Sequence, residues 1–335
     1  MDINEKRDSA KSFKIGDDTD QSACVMMVGI HGTMYIIKEK SIWKLLLADN
    51  IDPERKTETL PDTTQKFLSY GAKSEIVSRT LIQANELLKK GCTPDSLNIE
   101  DCLAEVLRVT AGIAGLFNII DHINKGFSRA REIVGANAIK PTMPLPTFDD
   151  LDNKWSAALN CLDEIRSGIR QLAFIFYPNI RRNDKWFVDL REVLTFEAFE
   201  MSDTTNHAEA LDAVDHDLGF ARWIRNAKSH PKDGQRVTLW NYRLMPDGNV
   251  APPSITIEKE KGDAKDIDLV YLLKQLSNAM LFSFEMVLLW LCGSNQKPMM
   301  GQRVQIYRRA ESDIKVGTPP YCYAIELGGQ MKIIG

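Results

Sequence analysis

Apolar positions along this chain follow two periods, and the alternation between them sets out the expected elements. Residues 24–30 and 33–37 are β-prone runs around Gly29-Ile30-His31-Gly32. They predict a hairpin, with His31 as a turn residue between two glycines. Residues 41–48 predict the start of a short helix, and 49–64, carrying Pro53 and Pro61, a loop. Helical spacing then takes over. Ile76, Val77, Thr80, Leu81, Ala84, Leu87 and Leu88 mark one helix, with Ser74 as its N-cap. Leu103, Val106, Leu107, Ile113, Leu116, Ile119 and Ile120 mark a second over about 99–124, and Gly91 and Pro94 separate the two. Pro141, Pro144 and Pro146 interrupt a segment of low periodicity, which places a domain boundary near 136–150.

The second half reads as more helical. Trp155, Ala158, Leu162, Ile165, Ile169, Leu172 and Phe176 mark one helix; Trp186, Leu190, Val193, Leu194 and Phe196 mark another. Leu211, Val214, Leu218, Ala221 and Trp223 mark a third that starts near Ser202 or Asp203, and a fourth spans roughly 266–292. Between the last two, the runs TLWNYRL and SITIEKE flank Pro246-Asp247-Gly248-Asn249, which predicts a hairpin. RVQIYRR, YCYAIEL and MKIIG predict short strands in the last thirty-five residues. The apolar run 280–292 is too short for a spanning helix, which needs about 20 residues, so it is expected to be buried in the core or at a dimer interface.

The resulting expectation is a mainly α chain. It comprises a disordered tail at 1–22, rich in Asp, Lys and Ser, and an N-terminal mixed α/β region at 23–140. A helical bundle at 150–295 carries a β-hairpin insertion, and a short β-rich segment follows at 296–335.

Composition changes this picture little. Hydrophobic residues at 44% and charged residues at 26% are ordinary for a folded soluble chain of 335 residues. The net charge of −4 gives no global attraction for nucleic acid, so any affinity for phosphate has to come from a local patch. Cys24, Cys92, Cys102, Cys161, Cys292 and Cys322 form no CxxC pair, and the first twenty residues are polar rather than a secretory signal. Reduced thiols, no disulfide, no metal cofactor and a cytoplasmic location are therefore expected.

One local patch does stand out. Residues 219–236, GFARWIRNAKSHPKDGQR, hold Arg222, Arg225, Lys228, His230, Lys232 and Arg236 against one acid, Asp233. A solvated basic helix end accounts for such a cluster by itself, because the helix dipole favours cations there. Three features point further. An Arg can bind phosphate through a planar fork, an Asn can hold a hydroxyl or a phosphate oxygen, and a His can move protons near neutral pH. Asn226 and His230 stand four apart and share a face if the helix persists, with Arg222 on the same stripe. Arg225 lies about 140° away at 3.6 residues per turn. Trp223, Ile224 and Ala227 offer an apolar face to pin the segment. Weaker candidates are His207, Asp212 and His216 as metal ligands, and Asp163 and Glu164 beside Arg166 and Arg170. The latter group reads as a surface charge network, and a carboxylate from it could orient His230. No Walker A motif, GxSxG elbow or GxGxxG fingerprint is present.

R-N-A-K-S-H at 225–230 resembles the motif of the HEPN superfamily, an Arg followed by a polar residue, with a His after four to six intervening residues. The flanking helices resemble its context over roughly 150–295. The resemblance implies a metal-independent endoribonuclease of toxin or antiviral defence type, acting as a homodimer whose two motifs face each other. It implies Arg225, Asn226 and His230 as the catalytic residues; Arg222, Lys228, Lys232 and Arg236 are then expected to bind the RNA. Pro231 and Lys232 follow the His where some HEPN toxins paired with a nucleotidyltransferase have a Tyr, so that mode of control is not implied. The alternatives are a non-catalytic module binding RNA or a protein partner, and a purely structural helical protein. No membrane partner is expected, and the residues of 23–140 do not distinguish a sensor from a restraint.

Overall fold

The computed structural model describes residues 15–16, 20–57, 62–136, 145, 147–183, 185–195, 207–232, 234–246, 249–260, 262–299, 301–328 and 330–334. The segments containing Ser202, Asp203 and Phe196, and most of the proline-interrupted stretch 137–146, lie outside them.

The chain opens with an antiparallel meander of β1 (Cys24–Ile30), β2 (Thr33–Lys38), β3 (Ile42–Leu46) and β4 (Thr63–Leu68), paired in that order. His31 and Gly32 form the first turn with φ of 47° and 72°. Two successive positive φ angles match the twist of a two-residue hairpin, so the expected hairpin and the turn role of His31 are both present. The helix expected at 41–48 is instead strand β3, followed by the short helix α1 (Ala48–Ile51). The reason is period two: Ile42 faces the main core, while Trp43 and Leu45 join Ile36 on the opposite face of the sheet. Of the expected N-terminal tail, residues 1–14 and 17–19 lie outside the described residues. Asp20 is buried, accepts hydrogen bonds from Ser22 and Ser41, and lies 3.7 Å from Lys38 Nζ.

Ser74 caps the next helix by accepting from Ile76 N–H at 3.2 Å. That helix is continuous but irregular: α2 (Glu75–Val77), a π turn over Ser78–Ile82, then α3 (Gln83–Leu87). Thr80 in the π turn receives a hydrogen bond from Thr110 at 2.8 Å. Thr110 lies on the long helix α4 (Ile99–Ala136), which extends past the expected end near 124. Helix α5 (Leu151–Phe176) packs against α4 at small residues. A Cβ on Gly112 would sit 2.7 Å from Ile165 Cγ1, and one on Gly168 would sit 2.6 Å from Val109 Cγ2.

Helices α6 (Trp186–Val193), α7 (His207–Ser229) and α8 (Leu269–Ser294) follow. Asp268 caps α8, accepting from Tyr271 N–H at 2.7 Å. From Met280 to Cys292 all residues but Phe282 are buried, as expected of a helix that is apolar all round. Helices α4 and α8 are both long and apolar enough to cross a membrane by length and composition, but 83% of the apolar stretch of α8 is buried inside the fold.

The expected fold class is not met. Among the described residues 48% are helix and 23% strand, in four sheets, so the fold is not mainly α, and the C-terminal half is no helical bundle with one hairpin inserted. Between α7 and α8 lie β5 (Arg236–Trp240), β6 (Arg243–Leu244), β7 (Val250–Ala251), β8 (Ser254–Glu258) and β9 (Ala264–Asp268). β5, β8 and β9 form one sheet and β6 and β7 a small ribbon at the tip of the expected hairpin. After α8, β10 (Val304–Arg308), β11 (Tyr321–Leu327) and β12 (Gln330–Ile334) form a further antiparallel sheet. The physical reason is shared burial. α4, from the N-terminal half, covers α5, and one hydrophobic core runs from Val28 to Ile325 through sheets and helices alike.

Candidate functional site

The motif sits where α7 ends. Ala210, Leu211, Val214, Leu218, Ala221, Ile224 and Ala227 form the buried stripe of this helix, which packs on α5 and α8. Burying that stripe turns Arg225 and Asn226 outward. The His230 N–H donates to the Asn226 carbonyl at 2.7 Å, so the helical turn reaches His230. Pro231 has no N–H to continue the ladder, and the helix stops. Asn226 and His230 therefore share one exposed face, as their spacing predicts.

Arg225 does not join them. Its Nη2 lies 3.5 Å from Asp163 Oδ2 on α5, and Asp163 also holds Arg166 at 3.0 Å. The carboxylate proposed to orient His230 is thus engaged with the two arginines instead. Among the described residues the His230 side chain has no hydrogen-bond or ion-pair partner.

The other cations of the patch are spread around the helix end. Lys228 is half-buried with Nζ 3.6 Å from Asp152, and Arg222 is half-buried with an interaction of its own. Lys232 and Arg236 are exposed. The backbones of Lys232 and Gln235 bond to each other in both directions, at 3.1 and 2.9 Å, which folds a tight turn between His230 and β5.

A second feature of α7 was not anticipated. His216, Phe220 and Trp223 stack in a row, with centroid separations of 6.3 and 6.0 Å and interplanar angles of 10° and 8°. Lys259 Nζ lies over the Phe220 and Trp223 rings at 4.8 and 5.6 Å. With Asp212 and Gly219 these residues line an open groove of about 560 Å3. Trp223, expected to pin the helix to the core, is only half-buried; Ile224 and Ala227 do that work. The signal was present as the spacing 216, 220, 223. Continued by seven residues, it arrives at 230, because seven residues advance about 700° and return within about 20° of the same face.

The remaining candidates are used structurally. Asp212 pairs with Arg191 at 2.8 Å, and His216 stacks on Phe220, so with His207 they do not converge as ligands. No group of three or more His, Cys, Asp or Glu side chains suited to a metal occurs among the described residues. Glu164 lies 3.7 Å from Arg108. His31 is 3.7 Å from Glu100 and 3.2 Å from Asp101 and ties the first hairpin to the start of α4. All six cysteines are free thiols. Burial pushes the Cys102 thiol up to about 12, so it is not poised as a nucleophile. No family model, curated protein or solved structure matches the chain.

Proposed function

We propose that this protein is a metal-independent endoribonuclease whose chemistry is carried by Asn226 and His230 on the exposed face of α7, with Arg225 at its side. One observation carries the reading: this face joins the exposed imidazole of His230 to a row of stacked aromatic rings on the same helix. Trp223 and His230 are two turns apart, about 10 Å along the axis at 1.5 Å per residue. Single-stranded RNA is bound through bases laid on aromatic rings and phosphates held by Lys and Arg. Exposed Lys232 and Arg236 supply the cations at the same end.

In the reaction, the RNA 2′-hydroxyl attacks the adjacent phosphorus while His230 takes its proton. The P–O5′ bond breaks, and a 2′,3′-cyclic phosphate and a 5′-hydroxyl result. Arg225 stabilises the charge on the phosphorane-like transition state, and Asn226 orients the nucleophile. The 5′ oxygen must receive a proton on the side opposite the base. A second copy of the chain, paired across this face, supplies that His230 and a second Arg225.

The test is cleavage of single-stranded RNA by the purified chain in EDTA, read as cyclic-phosphate ends. DNA of the same sequence should resist, since it lacks the nucleophile. His230→Ala should lower the rate by about 10²–10⁴-fold, as for loss of a general acid–base group. Wild-type cleavage by His230→Ala would remove the motif from the chemistry. RNA binding without cleavage by the wild-type chain would leave a non-catalytic RNA-binding surface.

A further inference from the structure

A second cavity, of about 550 Å3, opens between the π turn, the strand pair β10–β11 and the loop that joins those strands. Its size suits a small organic ligand. Its floor is a built polar wall. Arg79, in the π turn, donates to both carboxylate oxygens of Glu285, with Nε to Oε1 at 2.9 Å, and its Nη1 donates to Glu75 at 2.7 Å. Glu285, on α8, is only 7% exposed. Burial would pull the Arg79 guanidinium down, but the carboxylates of Glu285 and Glu75 hold it charged above its ordinary value.

The opposite wall is fixed as firmly. The Gln83 side chain pairs with both backbone groups of Tyr321, each at 2.9 Å. Arg309 donates to the carbonyls of Pro319 and Tyr321 and to Glu86. The cavity is therefore held open by side-chain pairs that bridge residues more than two hundred positions apart in sequence. Interruption of an α-helix by a π turn is frequent at functional sites, and here the interruption places Ser78 and Arg79 on the cavity.

What lines the mouth identifies the occupant. Arg308 and Lys315 are exposed and form no ion pair within 4 Å among the described residues; Arg308 feels the charge of Glu285 but leaves that carboxylate to Arg79, which is saturated by its two acids. The same cavity is lined by the apolar Ile314, Val316 and Pro320 and the half-buried Tyr321. Burial, then the charge of Glu285, pushes the Tyr321 phenol up, so its hydroxyl stays a donor at neutral pH. An Arg fork and a Lys point charge together match the several oxygens of a phosphoryl group better than a single carboxylate. The apolar lining matches a flat or aromatic body attached to it.

We infer that this cavity binds a phosphorylated small molecule of nucleotide size, with the phosphoryl group on Arg308 and Lys315 and the aromatic body against Tyr321. The inference does not depend on the ribonuclease reading, because no residue of the α7 face takes part.

Titration calorimetry on the full chain tests it, with AMP, glucose 6-phosphate and inorganic phosphate as probes. AMP should bind saturably and at least tenfold more tightly than the other two. The double variant Arg308→Ala/Lys315→Ala should lose at least tenfold in AMP affinity with an unchanged melting temperature, and His230→Ala should bind AMP as the wild type does. Three results would overturn the assignment: no saturable AMP binding up to millimolar concentration, equal affinity for all three probes, or undiminished AMP binding by the double variant.

Discussion

At the scale of the residue, the Arg225–Asp163 contact is the most informative pair at the candidate site. Both side chains are partly exposed, at 44% and 28%, and an ion pair of that kind contributes about 0–1 kcal/mol to stability. Its effect on function should be larger, because a guanidinium held by a carboxylate is less free to hold a phosphate. Asp163→Asn is expected to leave the unfolding midpoint within experimental error and to raise RNA cleavage several-fold. Arg225→Ala should lower cleavage by about 10²–10³-fold, the usual loss for one donor to a transition-state oxyanion, and Arg225→Lys should restore little of it, since lysine lacks the fork. A slower Asp163→Asn enzyme would mean that Asp163 positions Arg225 for the reaction instead of competing for it. The sequence showed the Asn226–His230 face directly, because that relation is local to one helix. It did not show that Arg225 is turned to α5, since Asp163 stands 62 residues earlier in the chain and only packing brings it near. The exposure of Trp223 was hidden for the same reason: apolar residues at helical spacing read as core until the neighbours are known.

At the scale of the element, the seam between α4 and α5 depends on glycines that periodicity alone does not flag. Gly112→Ala would place a methyl 2.7 Å from Ile165 Cγ1 and 3.3 Å from the Cys161 carbonyl, and the carbonyl belongs to a helix that cannot yield locally. The overpacking cost, about 1–3 kcal/mol, should exceed the roughly 1 kcal/mol gained from alanine's helix propensity. Gly219→Ala is the control, because nothing lies within 4 Å of its Cβ position on α7. That variant should be stabilised by up to about 1 kcal/mol. Urea unfolding of the two proteins decides the matter, and equal midpoints would show that the seam is loose. The fold class was missed at the strands: 264–268, expected in part as the start of the fourth helix, pairs with β8 as β9 and widens the expected hairpin into a three-stranded sheet. Helix existence was legible from the 3.6-residue period, and the C-terminal strands from their alternation. Which helices bury each other was not, because α4 and α5 meet through small residues on either side of the proline-interrupted stretch. Residues 41–48 failed differently: Ile42, Trp43 and Leu45 fit a short helix or a strand, and pairing with β2 settles the choice.

At the scale of the whole molecule, the contacts that bind the two halves argue for one cooperative unit. The core is continuous from Val28 to Ile325, Arg79 reaches Glu285, Gln83 holds Tyr321, and Arg309 holds Glu86. A chain whose halves buried their surfaces separately would melt in two steps; one whose helices cover each other should melt in one. Calorimetry of the full chain is therefore expected to give a single transition whose van't Hoff and calorimetric enthalpies agree. A fragment of residues 150–335 should not fold alone, because the face of α5 that meets α4 would be bare and Glu285 would be left without Arg79. The ion pair gives a sharper measurement. Glu285→Ala leaves Arg79 with the exposed Glu75 as its sole carboxylate, and breaking a buried pair from one side costs about 3–5 kcal/mol. Arg79 is 23% exposed and can regain some water, so the loss should fall toward the lower end of that range. Replacing both partners, as Arg79→Met/Glu285→Leu, removes the orphaned charge and should recover most of the stability. Two separate transitions in the wild type, or a Glu285→Ala protein as stable as the double variant, would show that the halves are joined less tightly than their shared core implies.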